Sequence, residues 1–161
     1  MIYFAYGSNL LAPWLRRPGR CPSASALGPA RLANHRLVWD KPGADGSAKL
    51  NILADESAEV WGTLYEAADT DRPALRASEP GYQEYPVLVE HRSSTIGAVT
   101  FRWPGAGACP PPPFDWYVDI VMEGARRQGL PAWWIDRLAV DCRRDPDHDR
   151  RSRCLAFLSR Q

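Results

Sequence analysis

The sequence has almost no net charge. Lys and Arg together number 20 and Asp and Glu number 19, which gives a formal charge of +1 at pH 7. Proteins that mainly bind nucleic acids normally carry a clear basic excess. We therefore expect no nucleic-acid partner, and we interpret the charge-dense segment 143–153 as a solvated face or a frayed end.

Long apolar runs are also missing. No stretch approaches the ~20 apolar residues that a helix needs to span a bilayer. The first residues, Met1 to Tyr6, lack the basic region and the cleavage motif of a signal peptide. We expect no membrane association and a cytoplasmic location.

Metal-binding patterns are absent from the sequence as well. The acidic run 145–149 lacks the glycine and the final glutamate of a calcium loop. No C-x-x-C pair and no histidine at zinc-finger spacing accompanies the cysteines, so we predict no metal site. Two disulfides or four thiols in a reducing compartment are both consistent with the four cysteines, which are Cys21, Cys109, Cys142 and Cys154.

Lysine is scarce in this chain. Lys41 and Lys49 are the only lysines, and all the other residues in the combined count of lysine and arginine are arginines. We interpret this skew as a compositional bias and not as a site.

The residues that are present suit one small globular domain. The chain has 161 residues, of which 45% are hydrophobic and 11% aromatic, enough for a core without cross-links. We predict a single domain over residues 1–142. A charged C-terminal extension, residues 143–161, is expected to pack on this domain or to fray from it.

Alternating apolar residues predict more strands than helices. We predict strands over residues 2–6, 31–39, 50–53, 59–65, 85–90 and 96–103. Helices are predicted over residues 10–16, from 69 to about 79, 115–129 and 130–138, and the Pro- and Ser-rich segment 18–29 is predicted to be a loop. This arrangement favours an α+β fold with a mixed sheet or a small barrel.

Two segments have residues suited to chemistry. The turn Gly7-Ser8-Asn9 follows a strand, where successive backbone N–H groups can form a nest for a carboxylate or phosphate; a plain turn is the alternative. Glu79 stands between a helix end and several aromatic residues, which can raise the pKa of its carboxyl group by desolvation; a solvated glutamate is the alternative. His35 and His91 have no nearby nucleophile in the sequence, so a catalytic triad is not supported.

The residues Tyr-Phe-Ala-Tyr-Gly-Ser-Asn-Leu at 3–10 resemble the opening signature of the γ-glutamylcyclotransferase family. Other segments resemble the family in the same order, so that the resemblance covers roughly residues 2–140. They are 30–32, 59–65, 75–81, Tyr85, 117–125 and 129–131.

This resemblance implies a compact mixed barrel flanked by helices. The activity it implies is cyclisation of an N-terminal γ-glutamyl group to 5-oxoproline with release of the attached amine. The substrate's α-amine attacks its own γ-carbonyl, so the implied reaction needs no cofactor. A small-molecule γ-glutamyl substrate is the implied partner, and because the family includes homodimers, a homodimer is one oligomeric state to consider.

Each site residue is assigned through the family's motifs. Glu79 matches the catalytic glutamate, which takes a proton from the α-ammonium and returns it to the leaving amine. The implied substrate-binding residues are Tyr6, Gly7, Ser8, Asn9, Leu10, Tyr85 and Tyr117. The chain departs from the family pattern at Pro80, which stands between Glu79 and Gly81, and in segment 76–78, which lacks an acidic residue.

The sequence leaves the leaving amine open. The full Tyr-Gly-Ser-Asn-Leu form resembles the branch that acts on γ-glutamyl dipeptides more than the glutathione-specific branch. Removal of a γ-glutamyl protecting group from a specialised amine is another reading. A non-catalytic module that binds carboxylates on the same fold is the alternative function.

Overall fold

Five strands close into a barrel in the computed structural model, which describes residues 1–105 and 107–160. The strands are β1 (Ile2–Ala5), β2 (Ser25–Pro42), β3 (Ala48–Glu66), β4 (Gln83–His91) and β5 (Ser94–Arg102). Their order around the barrel is β1-β3-β2-β4-β5, and the sheet is mixed because β1 runs parallel to β5 while the other neighbours are antiparallel. The predicted α+β fold with a small mixed barrel is confirmed.

Strands β2 and β3 form a long ribbon that corrects two predictions. The strands predicted at 50–53 and 59–65 are parts of one strand, β3. Ala33 pairs with Glu59 and His35 pairs with Ala54, so residues 55–58 bulge opposite Asn34 without reversing the chain. The Asp55 carboxylate accepts hydrogen bonds from the N–H and hydroxyl of Ser57, a local pattern that is typical of turns.

The loop predicted over 18–29 is too long. Its last part, from Ser25, belongs to β2 and pairs with the end of β3. Segment 25–29 is rich in Ser, Ala, Gly and Pro, which predict a loop, but pairing with a neighbouring strand overrides local preference. Gly28 accommodates a shift in register there with φ of +122°.

Five α-helices occur in the described residues. They are α1 (Ala12–Leu15), α2 (Arg72–Ala77), α3 (Asp115–Arg127), α4 (Ala132–Leu138) and α5 (His148–Leu155). The helix predicted over 10–16 is shorter, because residues Ser8–Leu10 form a separate 3-10 turn. Asp115 is the first residue of α3, where its negative charge interacts favourably with the positive end of the helix dipole. In the part of the chain that is described, no helix combines the length and the apolar character needed to cross a bilayer.

Helix α3 packs against the 3-10 turn and contributes to the hydrophobic core. Its residues Trp116, Ile120, Val121 and Ala125 join the core that fills the barrel. Gly124 lets the helix approach the chain at Leu10 and Leu11, since a Cβ atom at Gly124 would lie 2.4 Å from the Leu11 nitrogen. The helix therefore supports the 3-10 turn directly.

The C-terminal segment packs on α3. Asp145 is fully buried and accepts hydrogen bonds from Trp116 Nε1 at 2.8 Å and from Arg150 Nε and Nη2 at 2.6 Å each. The Arg150 guanidinium holds the pKa of the Asp145 carboxyl well below its usual range. Phe157 lies edge-on to Trp14 with ring centroids 5.3 Å apart, so apolar contacts extend beyond α5.

Candidate active site

A small cavity of about 30 Å³ opens where the end of β1 meets α3 and the chain after α2. Its lining combines aromatic side chains with a few polar groups, the composition expected of a small-molecule site. The lining residues are Tyr3, Tyr6, Gly7, Ser8, Asn9, Leu50, Glu79, Tyr82, Phe101 and Tyr117.

The turn that follows β1 forms one side of this cavity. Leu10 N–H donates to the carbonyl of Gly7 at 2.9 Å, and Leu11 N–H donates to Ser8 at 3.2 Å, which fixes the 3-10 geometry. Tyr65 donates its hydroxyl to the Leu10 carbonyl at 2.9 Å and anchors the turn to the barrel. The N–H groups of Ser8 and Asn9 begin this turn and so take no partner within it.

Asn9 is buried and connects three polar side chains. Its Nδ2 donates to Tyr3 Oη at 2.8 Å and to Glu79 Oε1 at 3.0 Å. Its Oδ1 accepts from Arg20 Nη2 at 2.7 Å. An amide has a donor end and an acceptor end, so Arg20 orients the donor end of Asn9 toward Glu79.

Glu79 reaches the cavity from a turn directly after α2. Tyr82 N–H donates to the Glu79 carbonyl at 3.1 Å, and Gly81 has φ of +82°. A type II turn places proline second and a positive-φ glycine third, which are the positions of Pro80 and Gly81. Pro80 is therefore compatible with a turn that brings the Glu79 carboxyl beside Asn9.

Burial raises the pKa of the Glu79 carboxyl. Its side chain keeps only 15% of its exposure, and this desolvation raises the pKa of the carboxyl above its ordinary value. The charge of Arg20, the hydrogen bond from Asn9 and the charge of Lys41 oppose that rise without reversing it. A carboxyl group with a raised pKa is better matched to proton transfer near neutral pH than an exposed glutamate.

Four tyrosine side chains line the same cavity as the Glu79 carboxyl. Burial raises the pKa of Tyr3, Tyr6, Tyr82 and Tyr117, so all four hydroxyls stay protonated and can donate hydrogen bonds. Tyr6 donates to the Phe101 carbonyl at 2.5 Å, and Tyr82 donates to the Leu50 carbonyl at 2.6 Å. These two hydroxyls hold the cavity wall together.

Two of the binding residues predicted from the sequence, Leu10 and Tyr85, do not line the cavity. Tyr85 lies on β4 and is not among the residues that line the cavity; its ring faces His35 and the Arg102 guanidinium. Leu10 is fully buried in the core beneath the turn. Tyr6, Gly7, Ser8, Asn9, Glu79 and Tyr117 do come together.

Arg20 is the main site residue that sequence reasoning missed. It lies in the segment between α1 and β2, and its guanidinium forms an ion pair with the Glu79 carboxylate. Nothing in the sequence around Arg20 distinguishes it from its neighbours Arg16 and Arg17. Its role follows from the fold, which brings together residues 59 positions apart.

Neither a metal centre nor a disulfide is found in residues 1–105 and 107–160. No group of three or more His, Cys, Asp or Glu side chains is placed to hold a metal ion there. The four cysteines are free thiols: Cys21 is buried, Cys154 is half-buried, and Cys109 and Cys142 are exposed.

Known proteins resemble this chain in sequence. The γ-glutamylcyclotransferase of Bos taurus is 29% identical over 147 residues, which cover 85% of this chain and 76% of the bovine protein. The γ-glutamylcyclotransferase of Homo sapiens is 27% identical with the same coverage. No protein-family model matches the chain.

The fold gives an independent likeness. A solved structure described as a gamma-glutamyl cyclotransferase superposes with a TM-score of 0.80 and 25% sequence identity, covering 91% of this chain and 90% of the other. Both comparisons extend over most of the chain, as the ordered motifs predicted. The resemblance of this chain to the γ-glutamylcyclotransferase family, in sequence and in fold, is therefore confirmed.

Proposed function

We propose that this protein cyclises the γ-glutamyl group of a γ-glutamyl amino acid or amide to 5-oxoproline and releases the amine. The observation that carries this proposal is the Glu79 carboxyl, which is desolvated and held 3.0 Å from Asn9 beside the turn 7–10. The similarity of the chain to γ-glutamylcyclotransferases supports the reaction class.

Glu79 acts as both base and acid in this proposal. Its carboxylate takes a proton from the substrate's α-ammonium, and the free amine attacks the γ-carbonyl carbon to form a C–N bond. When the original amide C–N bond breaks, Glu79 returns that proton to the leaving nitrogen. The second proton that the new ring nitrogen loses also passes to this amine, which departs as an ammonium ion. The buried tyrosines and the cavity walls hold the flexible glutamyl chain curled, and such positioning gains up to ~7–11 kcal/mol in well-oriented intramolecular reactions.

The turn at residues 7–10 is assigned to the substrate's α-carboxylate or to the oxyanion of the attacked carbonyl. Backbone N–H groups at Ser8 and Asn9 are suited to this because they are fixed before the reaction and need no reorganisation. Tyr117 lies beside them, with its hydroxyl 3.5 Å from where a Cβ of Gly7 would stand. We expect the reaction to need no cofactor, and free thiols are consistent with a cytoplasmic location.

The test is a product assay with a matched pair of variants. Purified protein is incubated with γ-glutamyl dipeptides, glutathione and γ-glutamyl amines, and 5-oxoproline is measured by mass spectrometry. Glu79→Gln keeps the shape of the side chain and removes proton transfer, so turnover is expected to fall by at least ~10²-fold with little change in folding. Glu84→Gln is the control, since Glu84 pairs with the exposed Arg72 and lies outside the cavity lining. Near-normal turnover by Glu79→Gln would contradict the assignment.

A carboxylate-binding module without turnover is the second candidate. The ion pair between Arg20 and Glu79 favours it, because an arginine on the carboxylate stabilises the ionised form and competes with proton uptake. A ligand-induced rise in melting temperature without any 5-oxoproline would support this function over catalysis.

A further inference from the structure

Lys41 is a buried cation next to the proposed site. It lies on β2 and is only 7% exposed. Its Nζ is 5.0 Å from the ring centroid of Tyr82, which lines the cavity, and 3.8 Å from the position that a Cβ of Gly81 would take. Lys41 therefore packs against the turn that follows Glu79.

A bulge in β2 places Lys41 there. Val38 pairs with Asn51 and Lys41 pairs with Lys49, so two residues of β2, Trp39 and Asp40, oppose the single residue Leu50 of β3. A bulge of this kind shifts the alternation of side chains and redirects the residue that follows it. The consecutive residues Asp40 and Lys41 are both buried, which regular alternation between two faces would not predict.

Lys41 differs from the other lysine in having no partner. Lys49 Nζ donates to Asp45 Oδ2 at 2.8 Å and to Ser47 Oγ at 2.6 Å. Among residues 1–105 and 107–160, nothing forms a hydrogen bond or an ion pair with Lys41 Nζ. Most of the Lys41 side chain is buried, but its Nζ is not fully enclosed by the described residues, so the ammonium can take a partner from outside the chain.

The charges that face Lys41 are of both signs. Burial lowers the pKa of Lys41, while the carboxylates of Glu79 and Asp45 hold it up. Asp45 is occupied by Lys49, which is also the cross-strand neighbour of Lys41. An additional carboxylate beside Lys41 would neutralise the positive charge of its ammonium group.

We propose that Lys41 binds the carboxylate of the leaving amino acid and is thus a specificity-determining residue; this inference rests on the proposed function. The α-carboxylate of the glutamyl half is assigned to the turn 7–10, whereas Lys41 lies against Gly81 and Tyr82. Lys41 therefore selects γ-glutamyl amino acids over γ-glutamyl amides whose amine has no acidic group.

The test compares two substrates that differ only in that carboxylate. γ-Glutamyl-alanine and γ-glutamyl-ethylamide share the scissile amide, and kcat/KM is measured for both. Wild-type protein is expected to prefer γ-glutamyl-alanine by at least ~10-fold, the size of a charge-assisted hydrogen bond. Lys41→Met is expected to abolish this preference. Loss of the Lys41 charge raises the pKa of Glu79 and slows both substrates, and γ-glutamyl-alanine loses the carboxylate contact in addition. Lys41→Arg is expected to retain most of the preference.

Lys49→Arg is the matched control, because it replaces the only other lysine while keeping a cation on Asp45, and it should leave the ratio between the two substrates unchanged. An equal loss on both substrates in Lys41→Met would place Lys41 on the glutamyl half and overturn the inference. A wild-type protein that converts both substrates equally well would overturn it without any variant. A folded wild-type protein that converts neither would overturn the proposed function itself, and this inference with it.

Discussion

Replacing Arg20 by methionine is expected to move the acid limb of the pH–rate profile. Glu79 must be ionised to accept the substrate's proton, so kcat/KM rises as pH increases through its pKa. Burial has already raised that pKa above the ordinary glutamate value of 4.5, and the Arg20 charge limits the rise. Removing Arg20 removes an opposing charge, so the pKa of Glu79 rises further and the acid limb moves to higher pH.

The size of this shift follows from the contact between the two side chains. An opposite charge within hydrogen-bonding reach lowers a carboxyl pKa by ~1–3 units. Arg20 and Glu79 keep only 12% and 15% of their side-chain exposure, so solvent screens the pair weakly. The hydrogen bond from Asn9 and the charge of Lys41 remain in the variant and limit the change. We expect a shift of ~1–2 pH units, which corresponds to ~10–100-fold slower turnover on the acid limb and a much smaller loss above it.

The assay is kcat/KM for the best substrate over pH 4.5–9, with melting temperature recorded at each pH. Arg16→Met is the matched control, because Arg16 lies in the same segment but donates to the backbone carbonyl of Ala24 at 2.6 Å. An acid limb that stays in place in Arg20→Met, or that moves to lower pH, would refute the electrostatic reasoning. An equal shift in Arg16→Met would show that the shift in Arg20→Met does not come from the ion pair with Glu79.

Two further variants test the support of the site. Asn9→Asp removes both hydrogen bonds that Nδ2 donates and adds a negative charge beside Glu79. We expect kcat/KM at pH 7 to fall by at least ~10-fold and the acid limb to move to higher pH. An unchanged pH–rate profile would contradict the role given to Asn9. Gly124→Ala places a Cβ 2.4 Å from the Leu11 nitrogen and is expected to lower the free energy of unfolding by ~1–3 kcal/mol in chemical denaturation. Gly97→Ala is its control, since a Cβ there meets nothing within 4 Å, and equal losses in the two variants would rule out the close contact as the cause.

Local sequence predicted the parts of the site that lie in continuous motifs. The turn at residues 7–9 and the helix end before Glu79 are marked by glycine and proline, and both occur where they are expected. The resemblance of ordered segments then joined them into one site. Their proximity in space depends on the strand order of the barrel. Composition and alternation predict only the fold class, not that order.

Residues whose role depends on tertiary contacts were not predicted. Arg20 belongs to a segment rich in proline and arginine, and its importance appears only when the fold brings it to Glu79. Lys41 was attributed to compositional bias, since neither the β2 bulge nor the burial of its side chain has a clear sequence signal. The turn-like residues 55–58 were read as a break between strands, because a bulge and a chain reversal have similar local chemistry.

The scarcity of lysine has a practical consequence. The chain has three primary amines: those of Lys41 and Lys49 and the N-terminal amine, which donates a hydrogen bond to the Ala67 carbonyl. Lys41 contacts Tyr82, and Lys49 lies over Tyr117 with Nζ 4.6 Å from its ring centroid, so both amines stand beside cavity residues. Amine-directed coupling to a sensor chip or a fluorophore would therefore rely on largely buried amines beside the cavity, whereas coupling at the exposed thiols of Cys109 or Cys142 would avoid those amines.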